Sequence, residues 1–518
     1  MTINAIQLSL FTHKINALCE EMGALLRHAA FSPNIRDRLG YSCAMFDRQG
    51  KMCAQAAHIP VHLGSMAYVM DSIVERFDWR AGDTIIFNDP YLGGTHLPDI
   101  TLVMPVFVQN ECIGFVANRA HHADIGSEEP GSMPLSSSLL DEGAVISPKL
   151  LGQNNQINNE VFADIFSDVQ HPQNTFADLS TQMGANLHGV ARLQAYVSEL
   201  GVPQYRVLIQ QMFEYSKGMA LSQLRRIPDG RYTAVDYMDD DGLGNSKIQI
   251  HVKVEVNAGR VHVDFSETAP QVKGNINCPR SVTAAAVYYV FRCLMNDDVP
   301  LCAGAFEPVT IYTTEGSLVD AAFPAAVAAG NVETSSRIVD VLFAALAQAC
   351  PHKIPAASQG TMNNIAMGAQ GESPWSYYET IGGGAGASAQ HHGMDAVQTH
   401  MTNTQNTPIE VQEMNYPLRI KRYAIRDNSG GVGQQYGGCG IVREFEFLRA
   451  ARVTVLSERR THQPYGLYGG EAGSTGRNLL NDQIIDSKVS LSVTAGDCLR
   501  IETPGGGGFG VYKVNECT

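Results

Sequence analysis

Ile248, Ile250, Val252, Val254 and Val256 alternate strictly with polar residues, and Val261, Val263 and Phe265 resume the pattern after Asn257-Ala258-Gly259. A period of two with a glycine-bearing turn predicts a β-hairpin with one buried face. Residues 160–225 have a different texture, with Phe162, Ile165, Phe166, Leu187, Leu193, Val197 and Leu200 at helical spacing and few breakers. Helix-rich and strand-rich regions in one chain predict a mixed α+β fold. The expected division is an N-terminal α/β part over 1–229 and a β-rich part over 230–518 with inserted helices.

Shorter signals fill in the order. Ile3, Ile6, Leu10, Ile15, Leu18, Met22 and Leu25 predict an amphipathic opening helix over residues 3–30. Residues 42–47 and 52–55 read as strands around a glycine turn, and a helix is expected from Ser65 to Phe77. Further helices are expected from Ala284 and over Ser335 to Ala349, and strands over 453–456 and 489–493. The Ser/Pro/Gly-rich stretch from Pro130 to Gly152 predicts an ordered loop or lid beside a site.

A chain of 518 residues, 44% hydrophobic and 17% charged, can bury a large core. Its net charge of -15, without a lysine or arginine run, opposes binding to nucleic acid or acidic membranes and favours a small molecule or protein partner. Without a basic, apolar leader or a membrane-length apolar run, the expected location is cytoplasmic. The 11 cysteines form no CxxC pair, so most are expected to be small buried hydrophobes.

Chemistry concentrates at Asn88-Asp89-Pro90-Tyr91-Leu92-Gly93-Gly94-Thr95-His96-Leu97-Pro98-Asp99, after the apolar strand Thr84-Ile85-Ile86-Phe87. Gly93 and Gly94 allow backbone that a side chain would forbid. In a helical turn, His96 and Asp99 supply a nitrogen and an oxygen to one divalent metal. His121, His122 and Asp124 follow a second apolar stretch, 113–117, expected to pair beside the first. His58 and His62 stand four apart, but Pro60 between them opposes a helix interior and favours a structural reading. Asn331, Glu333 and Arg337 read as a loop-to-helix cap, His400 as a strand histidine or a cavity residue, and Arg459-Arg460 as a surface or subunit-contact pair.

Four glycine-rich stretches, 381–386, 429–433, 436–440 and 504–508, read as tight turns. None carries the lysine-serine or lysine-threonine ending of a phosphate loop, so ATP is expected to bind elsewhere.

Together these stretches resemble the hydantoinase B/oxoprolinase family. The resemblance is carried by Ser32-Pro33-Asn34-Ile35, His58-Ile59-Pro60-Val61-His62-Leu63-Gly64-Ser65, the 88–99 motif and His121-His122-Ala123-Asp124-Ile125-Gly126. Gly131-Ser132-Met133-Pro134, Gly330-Asn331-Val332-Glu333-Thr334-Ser335, Ser358-Gln359-Gly360-Thr361-Met362-Asn363-Asn364, Thr399-His400-Met401-Thr402-Asn403-Thr404 and 503–510 extend it nearly end to end.

The resemblance implies a B-type subunit in a hetero-oligomer with a hydantoinase A-type subunit that binds ATP and phosphorylates the carbonyl of a cyclic amide. It implies a divalent metal of the zinc or manganese class on His96, Asp99 and His121, lowering the pKa of a bound water that attacks the activated carbon. His122 and Asp124 are then the expected proton acceptors. Related subunits serve ATP-dependent ketone carboxylases, and a non-catalytic scaffold for the A-type partner is the third reading. One departure stands out: Gly40-Tyr41-Ser42 lies where the family has an acid, an aromatic and a serine. Three readings stay open: Asp37, one short turn away, replaces that acid, the site binds metal weakly with an extra water, or the usual activity is absent.

Overall fold

The computed structural model describes residues 5–62, 64–371 and 373–512. Ile3, assigned above to the opening helix, and Leu63, in the 58–65 motif, lie outside the described residues. The fold is mixed α+β, with four sheets among the described residues.

The first sheet holds β1 (Tyr41–Asp47), β2 (Met52–Ala57), β3 (Thr84–Phe87), β4 (Asp99–Val108), β5 (Glu111–His121), β6 (Lys149–Gln153) and β7 (Gln156–Ile157). Their order is β2-β1-β5-β4-β3-β6-β7, and neighbouring strands run antiparallel. The stretches 84–87 and 113–117 are therefore not neighbours. The ten-residue strand β4 separates them; its side chains are buried on both faces, so no alternation marks it in the sequence. Its register sets Asp99 directly opposite His121. The 130–152 stretch is ordered, with short turns at Pro130–Ser132 and Leu139–Asp141 and its end in β6.

Helices Ala5–Ala29 and Pro172–Leu200 cover one face of this sheet, packing Phe11, Ile15, Met22, Leu193 and Val197 against Met45, Met104 and Val116. The other face joins a larger core. Phe87 and Phe115 share it with Val252, Val254, Phe291 and Leu342 from beyond residue 230. Its walls include helices Arg280–Cys293 and Ser335–Ala347.

The hairpin forms as the alternation predicts, from β9 (Ser246–Asn257) and β10 (Arg260–Asp264), within a four-stranded sheet completed by β8 (Gly230–Asp240) beside β9 and by β11 (Val309–Tyr312), parallel to β10. Ala258 and Gly259, at φ 50° and 82°, turn the chain between β9 and β10. The remaining strands are β12 (Asn364–Ala369), β13 (Trp375–Glu379), β14 (Leu418–Arg426), β15 (Gly440–Phe447), β16 (Ala451–Leu456), β17 (Arg477–Leu480), β18 (Gln483–Ile485), β19 (Lys488–Val493) and β20 (Cys498–Glu502). They form sheets of order β13-β12-β16-β19 and β14-β15-β20-β17-β18.

The glycine-rich stretches are not simple turns. They pack backbone to backbone in a glycine slab, with Gly384 N donating to Pro504 O, Gly438 N to Ala385 O and Gly506 N to Gly438 O at 2.8–3.0 Å. A Cβ on Gly384, Gly438 or Gly506 would sit 1.9–2.0 Å from a backbone oxygen. These three glycines do not have left-handed φ, so what they supply is the absence of a side chain rather than a turn.

Arg459 and Arg460 are not a surface pair. Arg459 is buried and donates to Asp236 and Asp340, while Arg460 donates to Asn363 and Asn478. Arg337 is no cap either: it binds Glu458 at 2.9 Å, and Lys488 binds the other oxygen of Glu458 at 2.6 Å. Burial explains the difference, since this many ions leave water only when paired. Among the described residues, six of the cysteines are buried. No helix among them is long and apolar enough to cross a membrane.

Candidate metal centre

Residues 88–98 lead from β3 into β4, at the end of the sheet's interior strands, through a tightly pinned loop. The Asn88 amide donates to the carbonyls of Leu97 and Ala144 and accepts from Ile146 N. Gly93 takes a left-handed φ of 96°, and a Cβ on Gly94 would meet the Asn88 carbonyl at 2.1 Å. Arg119, buried on β5, donates to Thr101, Ser65 and the Gly93 carbonyl and so holds the loop from below. Asp99 N closes a turn on His96 O at 3.1 Å.

This scaffold brings His96, Asp99 and His121 together. His96 Nε2 lies 3.3 Å from Asp99 Oδ2, His121 Nδ1 lies 3.2 Å from Asp99 Oδ1, and the two ring nitrogens are 3.3 Å apart. Ligands about 2.0–2.2 Å from a small dication sit about 3.0–3.5 Å from one another in a tetrahedron or octahedron. The cluster already has those edge lengths. His96 Nδ1 is 3.3 Å from the Ala328 carbonyl; as the donor to it, Nδ1 leaves the Nε2 lone pair facing the cluster. His121 Nε2 is buried without a hydrogen-bond partner among the described residues. The donor set fits one zinc- or manganese-class ion.

Burial depresses the His121 imidazole to about 4, against the opposing pull of Asp99. Burial also lowers His62. For Asp99, burial alone would raise the pKa, but His96 and His62 and the bonds from His121 and His62 hold it well below the usual range. A His121 imidazole that resists protonation beside a carboxylate that ionises readily suits a dication, whose ligands must be free of protons.

A cavity of about 40 Å³ adjoins the cluster, lined by His62, Asn34, Arg38, Gly40, Asn331 and Tyr378 among others. That volume holds roughly three water-sized groups. His62 is the site residue that sequence reasoning set aside. It sits in a 3₁₀ turn, Pro60–His62, with Nε2 3.2 Å from Asp99 Oδ2 and Nδ1 3.0 Å from Ser42 Oγ. The same proline that argued against a helix shapes this turn. His58 instead packs on Tyr41, away from the cavity.

Arg38 is 2% exposed and has no carboxylate partner among the described residues. Its Nη1 donates to Tyr378 O at 2.6 Å, its Nη2 donates to Thr380 Oγ1 at 3.2 Å, and its Nε is unpaired. Tyr378 also stacks on His121 at 5.0 Å. Asp37 does not replace the missing acid, being bound to Arg36 and absent from the cavity lining. A Cβ on Gly40 would approach Asn34 O to 2.7 Å and His121 Cβ to 3.3 Å, so this backbone is closed around a glycine.

His122 and Asp124 are not brought to the cluster. Strand alternation turns His122 to the other side of the β5 end, where its Nε2 meets Gln182 Oε1 at 2.8 Å. Asp124 accepts from Gly126 N and Gln170 N in a turn. Both line a separate cleft of about 490 Å³ that shares Asn34 and Tyr378 with the small cavity. His400 lies in neither; it occupies a left-handed turn against Phe343 and Tyr289, while Thr402 and Thr404 reach the cavity.

Two imidazoles and a carboxylate, buried at the end of an antiparallel sheet beside a polar cleft, form a donor set of the kind that holds one small cation. The chain belongs to the hydantoinase B/oxoprolinase family, whose profile matches residues 4–512. It is 38% identical to 5-oxoprolinase 1 of Arabidopsis thaliana over 98% of this chain and 42% of that protein, so it spans about two fifths of that relative's length. The B subunit of a putative D-/L-hydantoinase from a Pseudomonas species is 30% identical, covering 98% and 90% of the two chains. The crystal structure of the ATP-dependent caprolactamase from Pseudomonas jessenii superimposes with a TM-score of 0.91 at 26% identity, over 99% and 92% of the chains.

Proposed function

We propose that this chain is the B-type subunit of an ATP-dependent cyclic amide hydrolase, working in the cytoplasm with an A-type subunit that binds ATP and phosphorylates the amide carbonyl. The observation that carries this reading is the convergence of His96, Asp99 and His121 on one point beside a cavity lined by Arg38, whose guanidinium has no carboxylate partner among the described residues. The 5-oxoprolinase and caprolactamase similarities support the same chemistry, since both of those proteins are named for opening a cyclic amide.

A dication on His96, Asp99 and His121 would supply Lewis acidity toward water or a carbonyl oxygen. The chain's own residues do the rest. His62 and Thr95 hold Asp99 Oδ2, from 3.2 and 2.6 Å, so that the carboxylate keeps one orientation. Arg38 offers a buried guanidinium without a carboxylate partner among the described residues, which suits the phosphoryl group of an activated amide. Tyr378 walls both the cavity and the larger cleft and keeps the cluster from open solvent.

The test is to purify the chain with its A-type partner and to measure ring opening of 5-oxoproline and hydantoin against ATP consumption, with metal content assayed in parallel. Coupled ring opening in a preparation carrying about one dication per chain supports the reading. ATP turnover that opens no ring overturns it, and turnover that requires bicarbonate moves the chain to the ketone carboxylase branch.

A further inference from the structure

The 490 Å³ cleft contains a histidine whose tautomer is dictated by a chain of buried amides. The chain starts at a group with no choice of role, the Leu102 carbonyl, which accepts from Asn186 Nδ2 at 3.1 Å. Asn186 Oδ1 is then an acceptor, and Asn118 Nδ2 donates to it at 2.9 Å. Asn118 is anchored a second time, through Nδ2 to the Gln182 carbonyl at 2.7 Å. Its Oδ1 therefore accepts from Gln182 Nε2 at 2.9 Å, and that same nitrogen donates to the Ile100 carbonyl at 3.1 Å. Gln182 Oε1 has one remaining role, to accept from His122 Nε2 at 2.8 Å.

All four side chains are buried, and a backbone carbonyl orients each amide independently, so no single flip reverses the chain. His122 must carry its proton on Nε2, which leaves Nδ1 a bare acceptor. That nitrogen has no hydrogen-bond partner among the described residues, although the side chain is buried, at 1% exposure, and lines the cleft. An unpaired acceptor there calls for a donor from the ligand. Asp178, on the same wall, accepts from Phe31 N and Ser32 N through Oδ1, and an ionised carboxylate has no hydrogen to donate.

We propose that His122 Nδ1 accepts the ring N–H of a cyclic amide or imide, making His122 the residue that separates such substrates from lactones and ketones of the same shape. This rests on the cyclic-amide reading above and names the group of the substrate that the cleft recognises. A site built to accept an N–H rejects an analogue lacking it, because the analogue strands the buried acceptor.

Three ligands of matched shape test it on the intact chain: 2-pyrrolidinone, N-methyl-2-pyrrolidinone and γ-butyrolactone, with dissociation constants from ligand-observed NMR titration. The expected result is that 2-pyrrolidinone binds about tenfold or more tightly than the other two, and that H122F erases the difference. Gln182→Glu, which still accepts from Nε2, should keep the discrimination, whereas Gln182→Met should lose it. Equal binding of the three ligands, binding of none, or discrimination that survives in H122F overturns the proposal. Should H122F not fold, long-range ¹H–¹⁵N spectra of ¹⁵N-histidine-labelled wild type decide: His122 protonated on Nε2 supports the inference and protonation on Nδ1 overturns it. Ring opening with the A-type partner is scored separately, so a hydrolase lacking this N–H preference refutes the role of His122 alone.

Discussion

His62 touches Asp99 but is not one of the three side chains that converge, so its contribution is to aim a ligand. Removing such a partner costs metal affinity about 10–100-fold without removing a ligand. His62→Ala should therefore retain a metal site weakened by that factor, read by competition with a chromophoric chelator, while His96→Ala should lose stoichiometric metal. Glu142 gives a second prediction at this scale. It accepts from Val327 N, Ala328 N and Ser136 Oγ, yet burial outweighs these bonds and lifts its carboxyl from 4.5 to about 7. Between those values the folded chain holds a proton that the unfolded chain has released, so stability declines as the pH rises from about 4.5 to about 7 and is level above. Glu142→Gln removes that decline. Relative to wild type, the variant should gain about 3 kcal/mol between pH 4 and pH 8, measured by urea unfolding at both ends.

Among elements, the junction of β8, β16, β19 and helix Ser335–Ala347 is held by ions rather than by apolar contact. Glu458, at the end of β16, binds Arg337 from the helix and Lys488 from β19, and accepts the Asp239 amide of β8. Truncating a shared buried partner leaves Arg337 and Lys488 only their longer contacts to Asp236 and Asp240, at 3.5 and 3.7 Å, which costs up to about 3–5 kcal/mol. Glu458→Leu should lower the urea midpoint accordingly, and Arg231→Ala, at an exposed pair, should change it little. Elements also decide what can be read in advance. His96, Asp99 and His121 are legible because they sit at strand ends, where alternation and glycine punctuation leave a local trace. β4 leaves none, since a strand buried on both faces has no period. Arg38, Tyr378 and Thr402 come to the cavity from three distant stretches, and only packing joins them. Pro60 does exclude the helix that would align His58 with His62, but a 3₁₀ turn delivers the His62 ring just as well. Arg459 and Arg337 carry the signature of surface residues until their carboxylate partners, more than 100 residues away, are in view.

At the scale of the whole molecule, two populations of glycine make opposite predictions. Gly218, in helix Val202–Leu224, has nothing within 4 Å of an added Cβ. Gly218→Ala should stabilise the chain by about 0.5–1 kcal/mol through helix propensity and a less free unfolded state. Gly506→Ala would put its methyl 2.0 Å from the Ala385 carbonyl, which belongs to backbone and cannot rotate away. That variant should lose soluble expression or drop sharply in melting temperature.

The glycine slab also has a consequence for how the chain is made. Its layers come from residues 381–386, 429–440, 464–473 and 504–508, and Gly506 bonds both Gly438 and Gly431. The ribosome releases the earlier layers, with their amides and carbonyls unmatched, before the last layer exists. Contacts this distant in sequence form slowly, and unpaired backbone invites pairing with other chains. This half of the molecule should accordingly close only after synthesis passes residue 508, and until then it should be the part most dependent on chaperones.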